Sequence, residues 1–357
     1  MHRDLFLFMA LAVSTWVFPS LAKADEPASA RTVRVYILAG QSNMEGKAKN
    51  TLYDYQATDP ATADLFAHLR DGDSWIERDD VHIKYLNRHG RLTLGYGSRD
   101  RTGVELELGT MLGDAHEDPV LLIKTAWGGH SLFRDFRPPS SGLPADEALD
   151  EEWKQAVANT ERNNERNNRS DQPPSREEIV ERYGRSYRMM VEEVDGLLAN
   201  HQELFPELAG TEIEVCGFVW FQGWNDQYGS ENEYAGHLAN LIRDVRTQWD
   251  VPNLPFVIGV MGQNGSKPAQ GAMAIIQEAQ ISVAASDEFR ATVRAVRTDE
   301  LVDKAAEELF PTWRDNVEAW EKVGSDFPYH YLGSAIWMNR IGHAMGEALL
   351  EIESSAR

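Results

Sequence analysis

Three short segments of this chain carry side chains that could do nucleophilic chemistry. The β-branched apolar run Val33–Ala39 stops at Gly40 and delivers Ser42 onto a tight turn, in the order Ala39-Gly40-Gln41-Ser42-Asn43-Met44-Glu45-Gly46. A hydrolase presents a serine in this way. A serine hydroxyl is a poor nucleophile at neutral pH, so the placement matters only if a base and a site for developing negative charge exist elsewhere. The chain has candidates for both. Gly223-Trp224-Asn225-Asp226 follows a second apolar run, and His330 stands just before the last helical stretch.

The base should be a histidine, whose unperturbed pKa lies near neutrality. Ten compete. His330 stands out because Tyr329-His330-Tyr331-Leu332-Gly333 leads into an amphipathic segment with Ile341, Met345 and Leu349 on one face. His130, beside Gly129, suits a pocket wall, and His343 falls inside the final helix as a structural group. His82, His89, His116 and His237 have no partner at metal-ligand spacing, and neither HExxH nor CxxC occurs, so no catalytic metal and no cofactor are expected.

The order Ser, Gly, Asn, His resembles the SGNH (GDSL-like) hydrolase superfamily. Within it, the AGQSNMEG start, the loop Lys124-Thr125-Ala126-Trp127-Gly128-Gly129-His130-Ser131-Leu132 and the strand end Trp220-Phe221-Gln222-Gly223 are similar to the sialate O-acetylesterase and acetylxylan esterase branch, carbohydrate esterase family six. The resemblance runs from about 33 to about 350, with a large unmatched insertion. It implies a secreted serine esterase that removes O-acetyl groups from carbohydrates through an acyl-enzyme. Ser42 would be the nucleophile and His330 the base, and the oxyanion donors would be the N–H of Ser42, an N–H at Gly129 and the Asn225 amide. A non-carbohydrate esterase or thioesterase, and a carbohydrate-binding protein with a degenerate site, are the alternatives. The chain departs from the family twice. Trp224 stands where many relatives carry glutamate, and Phe327 occupies the position three before the histidine where the superfamily places an aspartate. Asp326 is the nearest acid, and Pro328 restricts Phe327 to extended conformations that could bend Asp326 toward His330.

The candidate substrate contacts are Gln41, Trp127, His130, Gln222, Trp224 and Tyr329, with Tyr228 and Tyr331 in the same aromatic group. Aromatic faces stack on sugar rings while polar edges donate hydrogen bonds. Trp220 and Phe221, inside a strand, read as core.

The elements that must position these residues follow from periodicity. Apolar runs at Val33–Ala39, Val120–Ala126, Ile213–Phe221, Pro255–Met261 and Thr292–Val296 alternate with helical patterns at Gly103–His116, Ile179–Leu198, Ala235–Trp249 and Ile275–Ala285. Parallel strands need crossover connections, so this alternation predicts a three-layer α/β/α sandwich with a mainly parallel central sheet, flavodoxin-like, with functional loops at the carboxyl ends of its strands. Residues 25–357 read as one domain. The stretch of about 137–185, with Pro138-Pro139, Pro173-Pro174 and a polar run over 161–169, reads as a solvated or disordered insertion. Residues 1–24 have a basic start, an apolar stretch and an Ala22-Lys23-Ala24 cleavage pattern, which predicts a signal peptide and a secreted or periplasmic protein without stable membrane insertion. Cys216, the only cysteine, reads as a small buried hydrophobe. A formal net charge of −22 excludes nucleic acid and anionic membrane surfaces as natural partners and leaves an acetylated carbohydrate open.

Overall fold

Alternate residues of Val33–Ala39 are apolar on both faces, which suits a strand covered on both sides. In the computed structural model, which describes residues 31–355, that strand lies inside a seven-stranded sheet. The predicted signal segment lies outside the described residues. The strands are β1 (Thr32–Gly40), β2 (Val81–Tyr85), β3 (Arg88–Arg91), β4 (Val120–Ala126), β5 (Glu212–Phe221), β6 (Phe256–Val260) and β7 (Val293–Arg297), in the spatial order β7-β6-β5-β1-β4-β2-β3. All neighbours pair in parallel except the hairpin β2–β3.

Val33, Val35, Ile37 and Ala39 face one apolar layer, while Tyr36 and Leu38 face the other. The first layer is covered by α5 (Arg185–Leu204), α6 (Tyr234–Gln248) and α7 (Gly271–Ala285). The second is covered by α2 (Glu105–Ala115) and α8 (Ala335–Ser355), through Leu106, Leu108, Leu112, Ile341, Met345 and Leu349. The result is the expected three-layer α/β/α sandwich. All five predicted strands form within a residue or so of their expected limits. β2 and β3 escaped notice because His82 and Lys84 interrupt the first, whereas the second is a polar edge strand.

The stretch at 137–185 is not a structureless loop. It folds into α3 (Asp146–Asn167) and α4 (Arg176–Arg182), and the polar run over 161–169 forms most of the exposed end of α3. Leu149, Trp153 and Ala156 make a narrow stripe on α3 that packs on Phe133, Ile179, Val180 and Tyr183, apart from the two main layers. One stripe of three residues holds a helix whose remaining surface is solvated, so low apolar content did not mean disorder. The single helix predicted at Ile179–Leu198 breaks between α4 and α5, where Gly184 takes φ +71°. A capping box at Ser175 and Glu178 starts α4.

Two backbone details fix the carboxyl end of the sheet. Gly40 is level with Ala126 on one side and with Phe221 on the other, so the chain leaves β1, β4 and β5 at the same height. Between β1 and β5 the register shifts once: Val35 pairs with Val215 but Tyr36 with Gly217, and Cys216 is the extra residue of a β-bulge. Among the described residues no helix is long and apolar enough to cross a membrane.

Gly40, at φ +153°, would direct an added Cβ into the Phe221 carbonyl. Gly40→Ala should therefore destabilise the protein by roughly 2 kcal/mol or more. A urea-unfolding midpoint equal to that of the parent chain would contradict this close approach.

Candidate active site

Ser42 opens the short helix α1 (Ser42–Glu45), directly beyond the end of β1. As its first residue, Ser42 has no carbonyl one turn back to receive its N–H. The residue keeps 7 % exposure. On the next residue, Asn43 Nδ2 donates to the Tyr329 carbonyl at 3.2 Å, which ties the serine turn to the histidine turn. Among the described residues the Ser42 hydroxyl itself is not hydrogen-bonded to His330.

The histidine turn is irregular. Phe327 is extended before Pro328, as the sequence predicts, and then Tyr331 and Leu332 take φ of +53° and +59°. Two consecutive left-handed non-glycine residues are costly and persist only where surrounding contacts enforce them. Here the Leu332 carbonyl accepts the N–H groups of Ser325 and Asp326, and the Tyr331 hydroxyl accepts the Gly262 N–H at 2.9 Å. Tyr331 is thus core, not a substrate contact. The folded turn brings Asp326 Oδ1 to 3.2 Å from His330 Nδ1, at ion-pair distance but off the line of a good ring hydrogen bond. Asp326 also accepts the Phe327 N–H at 2.8 Å and Arg101 Nη1 at 3.0 Å. Burial opposes its charge, but His330, the Phe327 N–H and Arg101 outweigh burial and hold the carboxyl below its ordinary range.

Asn225 sits in the turn after β5, where Gln41 clamps it. Gln41 Nε2 donates to Asn225 Oδ1 at 2.9 Å, while Gln41 Oε1 accepts the N–H groups of Gly223 and Asn225 at 3.3 and 3.4 Å. With its oxygen engaged, the Asn225 amide has its NH₂ left to donate. Gln41 and Gln222 are both buried, and the hydrogen bonds each makes are to neighbouring turns, the structural role that the sequence favours for each over a substrate contact. Gln222 Nε2 donates to the His130 carbonyl and to Asp226, and its Oε1 accepts the Tyr234 hydroxyl.

The loop after β4 supplies the third part. Glu45 Oε1 accepts the Gly128 N–H at 2.7 Å. Burial works against that carboxylate, yet Lys47, Gly128 and Ser98 keep its pKa lowered. Gly129 follows at φ +79°, with open space where a Cβ would stand and no partner for its N–H among the described residues. Of the two glycines, Gly129 therefore carries the available donor. Trp127 stacks on His130, whose Nδ1 lies 2.7 Å from Ser186 Oγ. Trp224 and Tyr329 pack at 6.0 Å between centroids, and Tyr329 lies edge-on to His330 at 4.5 Å. Tyr329 is about two-fifths exposed. Tyr228 is exposed as well, whereas Trp220 and Phe221 are core.

Two acids that sequence reasoning left without a role hold these turns. Asp226 is fully buried and accepts the N–H groups of Leu132 and Phe133 at 2.8 and 2.7 Å, so the β5 turn is tied to the β4 loop. Glu105 Oε2 meets Lys124 Nζ at 2.9 Å with both side chains wholly buried, and Lys124 also donates to the Glu45 carbonyl at the end of α1. The signal was present in both cases: a lysine inside the apolar strand Val120–Ala126, and an acid next to Asn225. His343 pairs with the buried Glu107 at 2.9 Å, a structural role as expected. The arrangement gathers a serine hydroxyl, a histidine with an adjacent carboxylate, and N–H groups beside neighbouring strand ends, the kinds of group that attack on a carbonyl requires.

Comparison with known proteins gives a family. The profile of the carbohydrate esterases described as sialic acid-specific acetylesterases matches residues 32–168 and 177–311. Most of the supposed insertion therefore belongs to the matched region, and the His330 turn lies beyond it. No curated protein matches the chain. Among solved structures, a protein from Arabidopsis thaliana is similar at 15 % identity and TM-score 0.47, over 90 % of this chain and 98 % of that one. A carbohydrate acetylesterase from Xanthomonas citri is similar at 15 % and 0.46, over 89 % of this chain and 56 % of that one. NanS is similar at 13 % and 0.39, over 72 % and 74 %.

Asp226 gives a testable pH dependence. Burial, only partly offset by Gln222 and the two backbone donors, pushes its pKa from 3.8 up to about 6. The folded chain then keeps a proton that the unfolded chain releases, so stability is highest below the unfolded value and falls as pH rises through the folded one. Relative to Asp226→Asn, the parent should lose about 2 kcal/mol between pH 4 and pH 6. Parallel unfolding curves for the two proteins across that range would refute the shift.

Proposed function

Because the chain belongs to the carbohydrate-esterase family of sialic acid-specific acetylesterases, within the SGNH-type hydrolases, we propose that it is a serine esterase removing O-acetyl groups from a carbohydrate. The observation that carries the reading is the meeting of the Ser42 and His330 turns, through Asn43 and Tyr329, with Asp326 3.2 Å behind the histidine. Ser42 Oγ attacks the acetyl carbonyl and passes its proton to His330. Nδ1 faces Asp326, so Nε2 is the nitrogen that takes it. The Ser42 N–H, the Gly129 N–H and the Asn225 amide donate to the oxyanion. Collapse of the tetrahedral intermediate breaks the ester C–O bond, and the sugar oxygen leaves with the proton from His330. Water, deprotonated by His330, then attacks the acetyl-enzyme and releases acetate. Asp326 fixes the imidazole and stabilises the imidazolium, as the carboxylate of a triad does.

Trp127, Trp224 and Tyr329 offer aromatic faces around this centre for a sugar ring, with His130 at its edge. The proximity of Asp326 to His330 favours a working esterase over a degenerate carbohydrate-binding site. The signal-like first 24 residues support action outside the cytoplasm, as a secreted or periplasmic protein.

Ser42→Ala should abolish acetate release from an O-acetylated sugar while leaving the circular dichroism spectrum unchanged. Asn225→Ala should lower kcat by roughly 10²–10³. An increase in KM at normal kcat would make Asn225 a ground-state contact instead. Two further variants separate orientation from chemistry. Asp326→Asn should reduce kcat by about 10³–10⁴ if the carboxylate sets the tautomer of His330. Gln41→Ala should reduce kcat by about tenfold through the loosened Asn225 amide. Near-normal turnover by Asp326→Asn in a folded protein would leave His330 oriented by some other group.

A further inference from the structure

Two of the three N–H donors assigned to the oxyanion trace back to one short helix. Ser42 opens α1 and Glu45 closes it, with the Glu45 N–H donating to the Gln41 carbonyl at 2.9 Å and the Gly46 N–H to the Ser42 carbonyl at 3.2 Å. The Ser42 N–H is therefore set by α1 directly. The Gly129 N–H belongs to another loop, which needs its own support.

Trp127-Gly128-Gly129-His130 forms a β-turn closed by the His130 N–H on the Trp127 carbonyl at 3.4 Å. Gly129 has φ +79° while Gly128 takes no positive φ, which makes the turn type II. Both ends are anchored: the Trp127 N–H donates to the Gly40 carbonyl at 3.2 Å, and the His130 carbonyl accepts Gln222 Nε2 at 3.1 Å. Between those ends, two successive glycines bring no side chain to pack and resist rotation little. A change to type I would rotate their shared peptide by roughly half a turn and carry the Gly129 N–H with it. Among the described residues the only side chain bonded to Gly128 or Gly129 is Glu45, whose Oε1 accepts the Gly128 N–H at 2.7 Å.

The carboxylate is arranged to hold one N–H and leave the next. Its Oε2 is taken by Lys47 Nζ and by Ser98 Oγ, so Oε1 alone meets the loop. In a type II turn the two central N–H groups diverge. In type I the first central residue is helical, consecutive N–H groups point the same way, and the Gly129 N–H would turn toward the carboxylate that already holds Gly128. A charge-assisted bond at one end of the pair thus leaves the other donor open.

We propose that Glu45 is a positioning residue of the oxyanion site. It holds the Gly128-Gly129 turn so that the Gly129 N–H stays free and aimed at the ester oxygen, and α1 thereby sets two donors at once. The proposal rests on the esterase reading for its effect on turnover, whereas the anchoring of the turn is measurable without substrate.

The experiment compares Glu45→Ala and Glu45→Gln with the parent in two measurements. Glutamine keeps an oxygen for Gly128 and can donate its NH₂ to Ser98 Oγ, so it preserves the anchor without the charge. In acetate release from an acetylated monosaccharide, Glu45→Ala should lower kcat by about 10–10² with KM within about threefold of the parent, as a displaced donor costs. Glu45→Gln should return kcat to within about threefold of the parent. By nuclear magnetic resonance on protein with isotope-labelled glycine, the Gly128 amide should exchange with solvent at least about tenfold faster in Glu45→Ala than in the parent or in Glu45→Gln. Glu45→Met, of similar length and without an acceptor, repeats the test if the alanine variant does not fold. A folded Glu45→Ala with parental kcat, a loss carried by KM alone, a glutamine variant no better than alanine, or equal Gly128 exchange in parent and Glu45→Ala would each overturn the proposal. Acetate release by the parent tests the esterase reading by itself, and the exchange result decides the anchor in either case.

Discussion

The Lys124–Glu105 pair is the constraint on which the Ser42 turn depends. Both charges are removed from water, and burial pulls the lysine pKa down even with Glu105 beside it. A buried ion pair is rarely a net source of stability, because desolvation offsets the attraction, but loss of one partner leaves an uncompensated charge at a cost of roughly 3–5 kcal/mol. What the pair does supply is direction. Lys124 Nζ has three donors, and it uses them on Glu105, the Glu45 carbonyl and the Tyr96 carbonyl at 2.8–2.9 Å. Glu105 in turn accepts the Gly103 N–H at 2.9 Å. The end of α1, the start of α2 and the centre of β4 are thus fixed to a single ammonium group. Gly46 and Gly103 permit this closeness, since a Cβ on either would strike the other's backbone.

Around that anchor, amides and carboxylates link the three strand ends sideways. Gln41 joins the β1 turn to the β5 turn, Glu45 joins it to the β4 loop, and Asp226 closes the triangle between β5 and β4. Each of these groups is satisfied on more than one side, so no turn can move without breaking bonds in another. A network of this kind suits an oxyanion site, whose donors must already point at the place where charge develops. The histidine turn is held by a separate set of bonds, from Asn43 to Tyr329, from Arg101 to Asp326 and from the Gly262 N–H to the Tyr331 hydroxyl.

Much of this was legible in the sequence, and the unread parts have physical reasons. Uninterrupted apolar strands with helical patterns between them leave few choices of architecture, which is why the five strands and the last helix fall where expected. The Phe327-Pro328 dipeptide made the bend beside Asp326 readable, because proline limits the residue before it. The helix α3 was not legible: in its twenty-two residues only Leu149, Trp153 and Ala156 join an apolar cluster, and their partners Phe133, Ile179, Val180 and Tyr183 are distant in sequence. Gln41 and Gln222 read as structural groups or as ligand contacts, because glutamine has the same chemistry toward a sugar hydroxyl as toward a neighbouring turn. Only their burial separates the two. The break at Gly184 was hidden because apolar spacing continues across it.

The bulge at Cys216 has a consequence for the phase of β5. Before it, Ile213 and Val215 pack in the layer of α5 and α6; after it, Phe218 and Trp220 do, three residues on from Val215 instead of two. The thiol, whose pKa burial pushes up to about 12, is chemically silent here. Its backbone is not. That one residue adds half a pleat to the strand and so decides which way every later side chain faces and at what height the chain departs. Drawing Cys216 into regular pairing, with no residue left over, would work like a spatial frameshift: Trp220 and Phe221 would exchange layers, and the asparagine turn would leave the sheet one step out of phase with Gly40.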